Sequence, residues 1–258
     1  MTIEDIKKHL TTTEFGKKIY AFESIDTTNT YAKTLALQGS NEGTLVIADD
    51  QLRGRGRLGR TWFSEKGKNL TFSFIVKPNI PPQSIGVLSL YAGVSVAAAI
   101  REVTGITPEC KWPNDVFING KKVCGILSEG IFTQDKLSAV VIGIGLNVNQ
   151  SEFPSEIRET ATSLMLAAGK VFDRFQVLAT VLEHLESLYD NIQSNRINKI
   201  LSLWNRYNRM FGKYISVSYQ NTVIRGIAKQ LADDGGLIIQ VNRDEQKVMA
   251  ADVTIIKE

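Results

Sequence analysis

Apolar residues along this chain recur at two periods, and the balance between them changes near residue 211. Up to that point helix-period and strand-period segments are interleaved; beyond Gly212 only short alternating runs remain. The first helical signal is Ile3, Ile6 and Leu10, with Thr2 as a capping hydroxyl. Residues 17–25 read as a strand. Thr27, Thr28 and Asn29 then supply polar caps for a helix through Tyr31, Ala32, Leu35 and Ala36 that stops at Gly39. Residues 44–48 and 69–77 form apolar strands, the second ended by Pro78. Residues 85–103, rich in Ala, Val and Leu and closed by Gly105, predict a helix buried against a sheet.

The strongest hairpin signal is Asn119-Gly120 between two apolar runs, at 116–118 and 123–127. That dipeptide accepts the two positive φ angles of a type I′ turn. Residues 139–146 read as a further strand. From 147 to 160 the pattern dissolves around Pro154, which predicts a long, movable loop. Helices resume over 163–168, 172–192 and 197–208. In the tail, strands are expected over 214–219, 223–231, 237–241, 247–249 and 253–256, with turns at 233–236 and 243–246. This texture describes an α+β domain over 1–211 followed by a small β-barrel over 212–258.

Composition narrows the function without naming it. A chain of 258 residues with 43% hydrophobic and 22% charged residues is ordinary for a globular protein. Its net charge of +3 gives no global field to draw it onto nucleic acid or an anionic membrane. The N-terminus MTIEDIKKHL has no apolar core of the kind a signal peptide needs, so a cytoplasmic location is expected. With about a dozen residues before the core, no DNA-binding helix-turn-helix region is expected either. Cys110 and Cys124 read as packing residues. His9 and His184 have no partner motif nearby.

The positive charge that matters is local. Arg53-Gly-Arg-Gly-Arg-Leu-Gly-Arg60 packs four arginines and three glycines into eight residues, between Gln51 and Trp62. Guanidinium forks match carboxylate and phosphate oxygens, and glycine lets the main chain approach a ligand. Taken alone the run is equally compatible with a solvated basic loop. A second motif, Lys111-Trp-Pro-Asn-Asp115, leads into the hairpin, whose returning strand carries Lys121, Lys122, Gly125 and Glu129. A purely structural hairpin needs none of these polar groups.

Together these motifs, in this order, resemble the biotin protein ligases. The likeness extends to Thr27-Thr28-Asn29, where that family usually has Ser-Thr-Asn, to Gly143-Ile-Gly-Leu-Asn147 and to Thr162-Ser-Leu164. It implies a mixed sheet with helices on one side, akin to class II aminoacyl-tRNA synthetases, followed by an SH3-like barrel. The activity it implies is activation of biotin by ATP to biotinyl-5′-AMP and pyrophosphate. The biotinyl group then passes to a lysine of a biotin carboxyl carrier domain. Mg²⁺, held through substrate phosphates, is the implied cofactor. Relatives of this kind often pair through sheet edges, so a homodimer is among the expected states.

Site roles follow from the same resemblance. Thr27, Thr28, Asn29, Gln51, Gly54, Arg55, Arg57, Lys122 and Gly125 are expected around biotin. Arg55, Arg57, Arg60, Trp62, Asn114, Lys122 and Asn147 are expected around ATP. Arg57, Lys122 and Arg60 would stabilise developing charge, and Asp115 would orient the acceptor lysine or take its proton. Residues 148–160 align with a loop that folds over adenine in such ligases. The nearest rival is a lipoate or octanoate ligase or transferase of the same fold, which lacks Lys-Trp-Pro-Asn-Asp before this hairpin. A biotin-responsive repressor would need the helix-turn-helix region.

Overall fold

Seven strands form the first sheet in the computed structural model, which describes residues 1–219, 222–249 and 251–256. They are β1 (Ile19–Phe22), β2 (Leu45–Ala48), β3 (Leu70–Val76), β4 (Glu109–Lys111), β5 (Asp115–Ile118), β6 (Lys121–Thr133) and β7 (Lys136–Leu146). Their spatial order is β1-β2-β3-β7-β6-β5-β4. β1 and β2 run parallel, joined by a helical crossover, and the other neighbours are antiparallel, so the sheet is mixed.

Helices α1 (Ile3–Lys7), α2 (Thr28–Leu37), α3 (Gly86–Thr104), α4 (Leu164–Ala168), α5 (Arg174–Gln193) and α6 (Ile197–Tyr207) complete this part. Thr2, Thr27, Ser163 and Asp173 cap their helices through side-chain oxygens, and Gly105 closes α3 at φ 73°. α3 is long and apolar enough to cross a membrane by length and composition, yet 72% of its apolar window is buried inside the fold. It is a core helix.

Strand alternation assigns the two faces of the sheet. Leu45, Phe74 and Ile142 join the main core with α3, α5 and α6, while their neighbours Val46, Ile75 and Val141 join a smaller core with Ala32 and Leu35 of α2. Helices on one side therefore describes only α3, α5 and α6. α2 covers part of the opposite face, because β2, β3 and β7 carry apolar residues at consecutive positions and both faces need cover.

Several local expectations are revised. β6 and β7 form a second hairpin whose turn is Gln134-Asp135, both at positive φ (49° and 61°), where no Asn-Gly signal marks it. β4 was not expected from the sequence. Residues 147–163 lack regular structure, but they are anchored: Gln150 is fully buried and accepts from the Glu65 amide at 3.2 Å. The Asn147 amide donates to the Val123 carbonyl and the Val148 amide to Asn69 Oδ1 at 3.0 Å.

The tail forms a second sheet of β8 (Tyr214–Tyr219), β9 (Thr222–Leu231), β10 (Leu237–Val241), β11 (Asp244–Val248) and β12 (Asp252–Ile255), in the order β11-β10-β9-β8-β12. All its pairs are antiparallel. The turn before β11 begins at Asn242 (φ 56°), earlier than the expected 243–246, since Asp244 is already paired with Val241. Ile215, Val217, Leu237 and Val253 share the main core, and the Trp112 indole donates to the Gly235 carbonyl at 2.8 Å. The two sheets are thus packed through Trp112.

Candidate active site

The site grows out of the alternation of β4 to β7. Cys110, Val116, Cys124, Ile126, Ile142 and Ile144 point into the main core. Their neighbours Lys111, Asp115, Gly125, Gly143 and Gly145 therefore face the other side, where they border a cavity of about 240 Å³. Lys122 needs a further device. Val123 and Cys124 are consecutive and both buried in the core, and the β5–β6 register shifts so that Val116 pairs with Cys124 and Phe117 with Lys122. This bulge changes the phase of the strand and turns Lys122 to the cavity side.

A chain of hydrogen bonds forms one end of the cavity. Gln51 Oε1 accepts from the Thr28 amide at 2.8 Å and its hydroxyl at 3.1 Å. Thr28 Oγ1 lies 2.7 Å from Ser73 Oγ, which donates to Asn29 Oδ1 at 2.6 Å. Asn29 Nδ2 donates to Glu129 Oε2 at 2.7 Å, and Lys33 Nζ pairs with Glu129 Oε1 at 2.5 Å. Burial opposes the charge on Glu129, but the bonds from Lys33 and Asn29 prevail and hold its pKa below the ordinary value. Thr27 borders the cavity too, with its hydroxyl used as the α2 cap.

The arginine loop spans β2 and β3 and folds over this floor. Arg53 pairs with Asp26, away from the cavity, and Arg55 Nη2 donates to Thr30 Oγ1 at 3.0 Å. Arg57 Nη1 donates to Asn114 Oδ1 at 3.3 Å and to the Ala251 carbonyl at 3.4 Å. Burial lowers the Arg57 pKa, while Asp252 and Asp115 oppose that shift. Arg60 pairs with Asp252 of β12. The Trp62 ring lies against Gly125 and Gly145, with its Nε1 buried and without a hydrogen-bond partner among the described residues.

Lys122 Nζ stands 2.6 Å from Asp115 Oδ1 and 5.7 Å from the Trp62 ring centroid. Asn114 Nδ2 donates to the Ile126 carbonyl at 2.6 Å, which pins the hairpin beside the loop. Thr27, Thr28, Asn29, Gln51, Arg55, Arg57, Arg60, Trp62, Asn114, Asp115, Lys122 and Gly125 all border the one cavity. Gly54 and Asn147 do not. Gly54 pairs with Trp62 within the loop, where a Cβ would stand 2.5 Å from the Trp62 carbonyl oxygen. Asn147 is buried, and its Nδ2 donates to the Thr162 carbonyl at 3.0 Å.

Sequence reasoning passed over Lys111, Gly143, Gly145 and Asp252 as bordering residues. Gly143 and Gly145 carried a readable signal, glycines two apart on one face of a strand. Asp252 carried none, because it arrives from the second sheet. Cys110 and Cys124 are free and buried, with burial pushing both thiols up. His184 meets Glu102 at 2.9 Å and His9 meets Gln176 at 3.3 Å, both remote from the cavity.

An arginine loop, a lysine–aspartate pair and a polar floor around one cavity make a site whose cations suit anionic ligands. Residues 21–147 match the biotin/lipoate A/B protein ligase family. The chain is 37% identical over 253 residues to the bifunctional ligase/repressor BirA of Bacillus subtilis, covering 97% of this chain and 78% of that protein. It is 33% identical over 242 residues to the biotin–[acetyl-CoA-carboxylase] ligase of Mycobacterium tuberculosis, covering 90% of this chain and 87% of that one. The Aquifex aeolicus biotin protein ligase, solved with biotin and ATP, superposes with a TM-score of 0.81 at 30% identity over 93% of this chain and 100% of its own. The chain belongs to the biotin/lipoate A/B protein ligase family, and within it resembles the biotin ligases.

Proposed function

We propose that this chain is a biotin protein ligase that makes biotinyl-5′-AMP from biotin and ATP and passes the biotinyl group to a lysine of a biotin carboxyl carrier domain. The observation that carries the reading is the convergence of Arg55, Arg57, Arg60 and Lys122 on one cavity whose other end is the Thr28–Gln51–Asn29 network. A carboxylate and a triphosphate repel each other at bonding distance unless cations intervene.

In the first step a biotin carboxylate oxygen attacks the α-phosphorus. A P–O bond forms, the bond to the β-phosphate breaks, and pyrophosphate leaves with the electron pair. Positioning and charge stabilisation suffice for such displacement, so no general base is assigned. Arg55, Arg57 and Lys122 are proposed around the α-phosphate and carboxylate, and Arg60 toward the pyrophosphate. Thr27, Thr28, Asn29 and Gln51 are proposed to take the ureido ring, whose neutral donors and acceptors they complement. Gly125 lets the hairpin approach, and Gly54 shapes the loop. Trp62 and Asn114 are proposed beside the nucleotide. Asn147 is proposed to act there through the Thr162 segment. In the second step the acceptor amine attacks the carbonyl carbon, AMP leaves, and Asp115 orients the amine or takes its proton.

Mg²⁺ is proposed to reach the site on the phosphates of ATP, where it would neutralise charge. Asp115 and Asp252 are each engaged by a cation, and no group of three or more His, Cys, Asp or Glu suited to a metal occurs among the described residues. The class II synthetase likeness, a catalytic domain over 1–211, an SH3-like barrel over 212–258, a cytoplasmic location and pairing of copies through a sheet edge belong to the same proposal. The antiparallel five-stranded second sheet supports the barrel reading.

Exchange of labelled pyrophosphate into ATP tests the function. It should require Mg²⁺ and biotin, with lipoate and octanoate inactive. Exchange driven by lipoate and not biotin would move the assignment to the sister ligases.

A further inference from the structure

Lys111 ends β4 and pairs across the short β4–β5 connection with Asp115. Because Cys110 faces the core, Lys111 falls on the cavity side and is half-buried there. Every other cation bordering the cavity has a polar partner: Lys122 has Asp115, Arg60 has Asp252, Arg55 has Thr30, and Arg57 has Asn114. The Lys111 ammonium has the Phe117 ring, 5.6 Å away at its centroid, and among the described residues no hydrogen-bond acceptor or ion-pair partner. Its burial lowers its pKa, and Lys122 and Arg209 push the same way against Asp115 and Asp252. An ammonium withdrawn from water without an acceptor is costly, so the arrangement is completed by an incoming anion.

The surroundings of Lys111 select which anion. Lys111 lies opposite Asp115 in the β4–β5 pair, and Arg57 reaches Asn114, the neighbour of Asp115, and the Ala251 carbonyl, the neighbour of Asp252. Asp252 holds Arg60. Lys111 therefore stands with Arg57 and Arg60, in the part of the cavity bordered by the second sheet. The neutral network of Thr28, Asn29, Gln51 and Ser73 lies instead on α2, on the segment after β2 and on β3. A compact, rotatable ammonium suits a phosphate oxygen as a point charge.

We infer that Lys111 is a further substrate-binding cation of this site, which takes a β- or γ-phosphate oxygen of ATP and holds the pyrophosphate as it leaves. This rests on the ligase reading above.

The test uses the full chain with Lys111→Met, which keeps the apolar stem and removes the charge, and Lys111→Arg, which restores one. Biotin-dependent pyrophosphate exchange by the parent chain comes first; its absence would count against the ligase reading and not against Lys111 in particular. Given exchange, KM for ATP and for pyrophosphate should both rise about tenfold or more in Lys111→Met, the scale of one charge-assisted hydrogen bond. KM for biotin, and the rate of transfer from supplied biotinyl-5′-AMP to a carrier domain, should stay within about twofold. Lys111→Arg should recover part of the nucleotide affinity. Unchanged KM values for ATP and pyrophosphate would overturn the inference. So would an equal loss in exchange and in transfer, which would assign Lys111 to folding or to holding Asp115.

Discussion

Trp62 lies so close to Gly145 that a Cβ on the glycine would stand 2.3 Å from indole Cε2 and 2.6 Å from Nε1. The cross-strand partner of Gly145 is Gly125, whose own added Cβ would stand 3.0 Å from Trp62 Cζ3. One pair of facing glycines thus makes the bed on which the ring rests. The next pair on that face, Leu127 with Gly143, does the same for Asn29: a Cβ on Gly143 would stand 2.0 Å from Asn29 Oδ1. The glycines hollow the sheet where ligand-facing side chains must lie flat.

Gly145→Ala should displace the Trp62 ring and the loop that carries it. The expected result is a fall of about tenfold or more in kcat/KM for ATP, with a small change in Tm, because the displaced ring belongs to a surface loop and not to the main core. Exchange kinetics and calorimetry measure the two. A large loss of Tm with normal nucleotide kinetics would contradict this account of the glycine bed.

Arg57 joins the loop to both Asn114 and the Ala251 carbonyl. Removing its side chain in Arg57→Ala should open the cavity, so that biotinyl-5′-AMP escapes before transfer. Free adenylate would then collect in the filtrate of a reaction lacking acceptor, well above the parent level. Retention equal to that of the parent would remove Arg57 from the closing role.

Glu129 links the biotin end of the site to stability through pH. Its pKa is held below the ordinary 4.5, so its contribution is present above that value and is lost as the pH falls through the depressed one. Glu129→Gln should cost about 1 kcal/mol at neutral pH, the scale of a charge-assisted bond that is half-buried and partly screened by solvent. That difference should shrink in acid, below 4.5. Denaturant melts of both proteins at neutral and acid pH decide the point, and a difference independent of pH would mean that the carboxylate charge is not what matters.

Local chemistry made much of the fold legible. The Thr27 cap, the Gly105 stop and the Asn119-Gly120 turn each act within a few residues, and each stands where its residue type requires. The Gln134-Asp135 turn was not legible, because Gln134 gives no sign of a positive φ and no glycine follows Asp135 to complete the usual turn pair. Loop 147–160 looked free in sequence, since polar residues at a surface and polar residues bonded in a buried corner have the same composition. Gln150 and Asn147 are of the second kind.

The strand faces, the arginine loop and the family motifs can be read along the chain, because alternation, capping and glycine tolerance are short-range properties. Which of those groups meet is set by the folding of distant segments onto one another. The bulge at Val123 and Cys124 turns Lys122 toward Asp115, and Asp252 and Lys111 join the same cavity from a distant strand and an edge strand. Such meetings depend on register and on packing across sheets, and a side chain carries no local mark of the partner that long-range packing will bring to it.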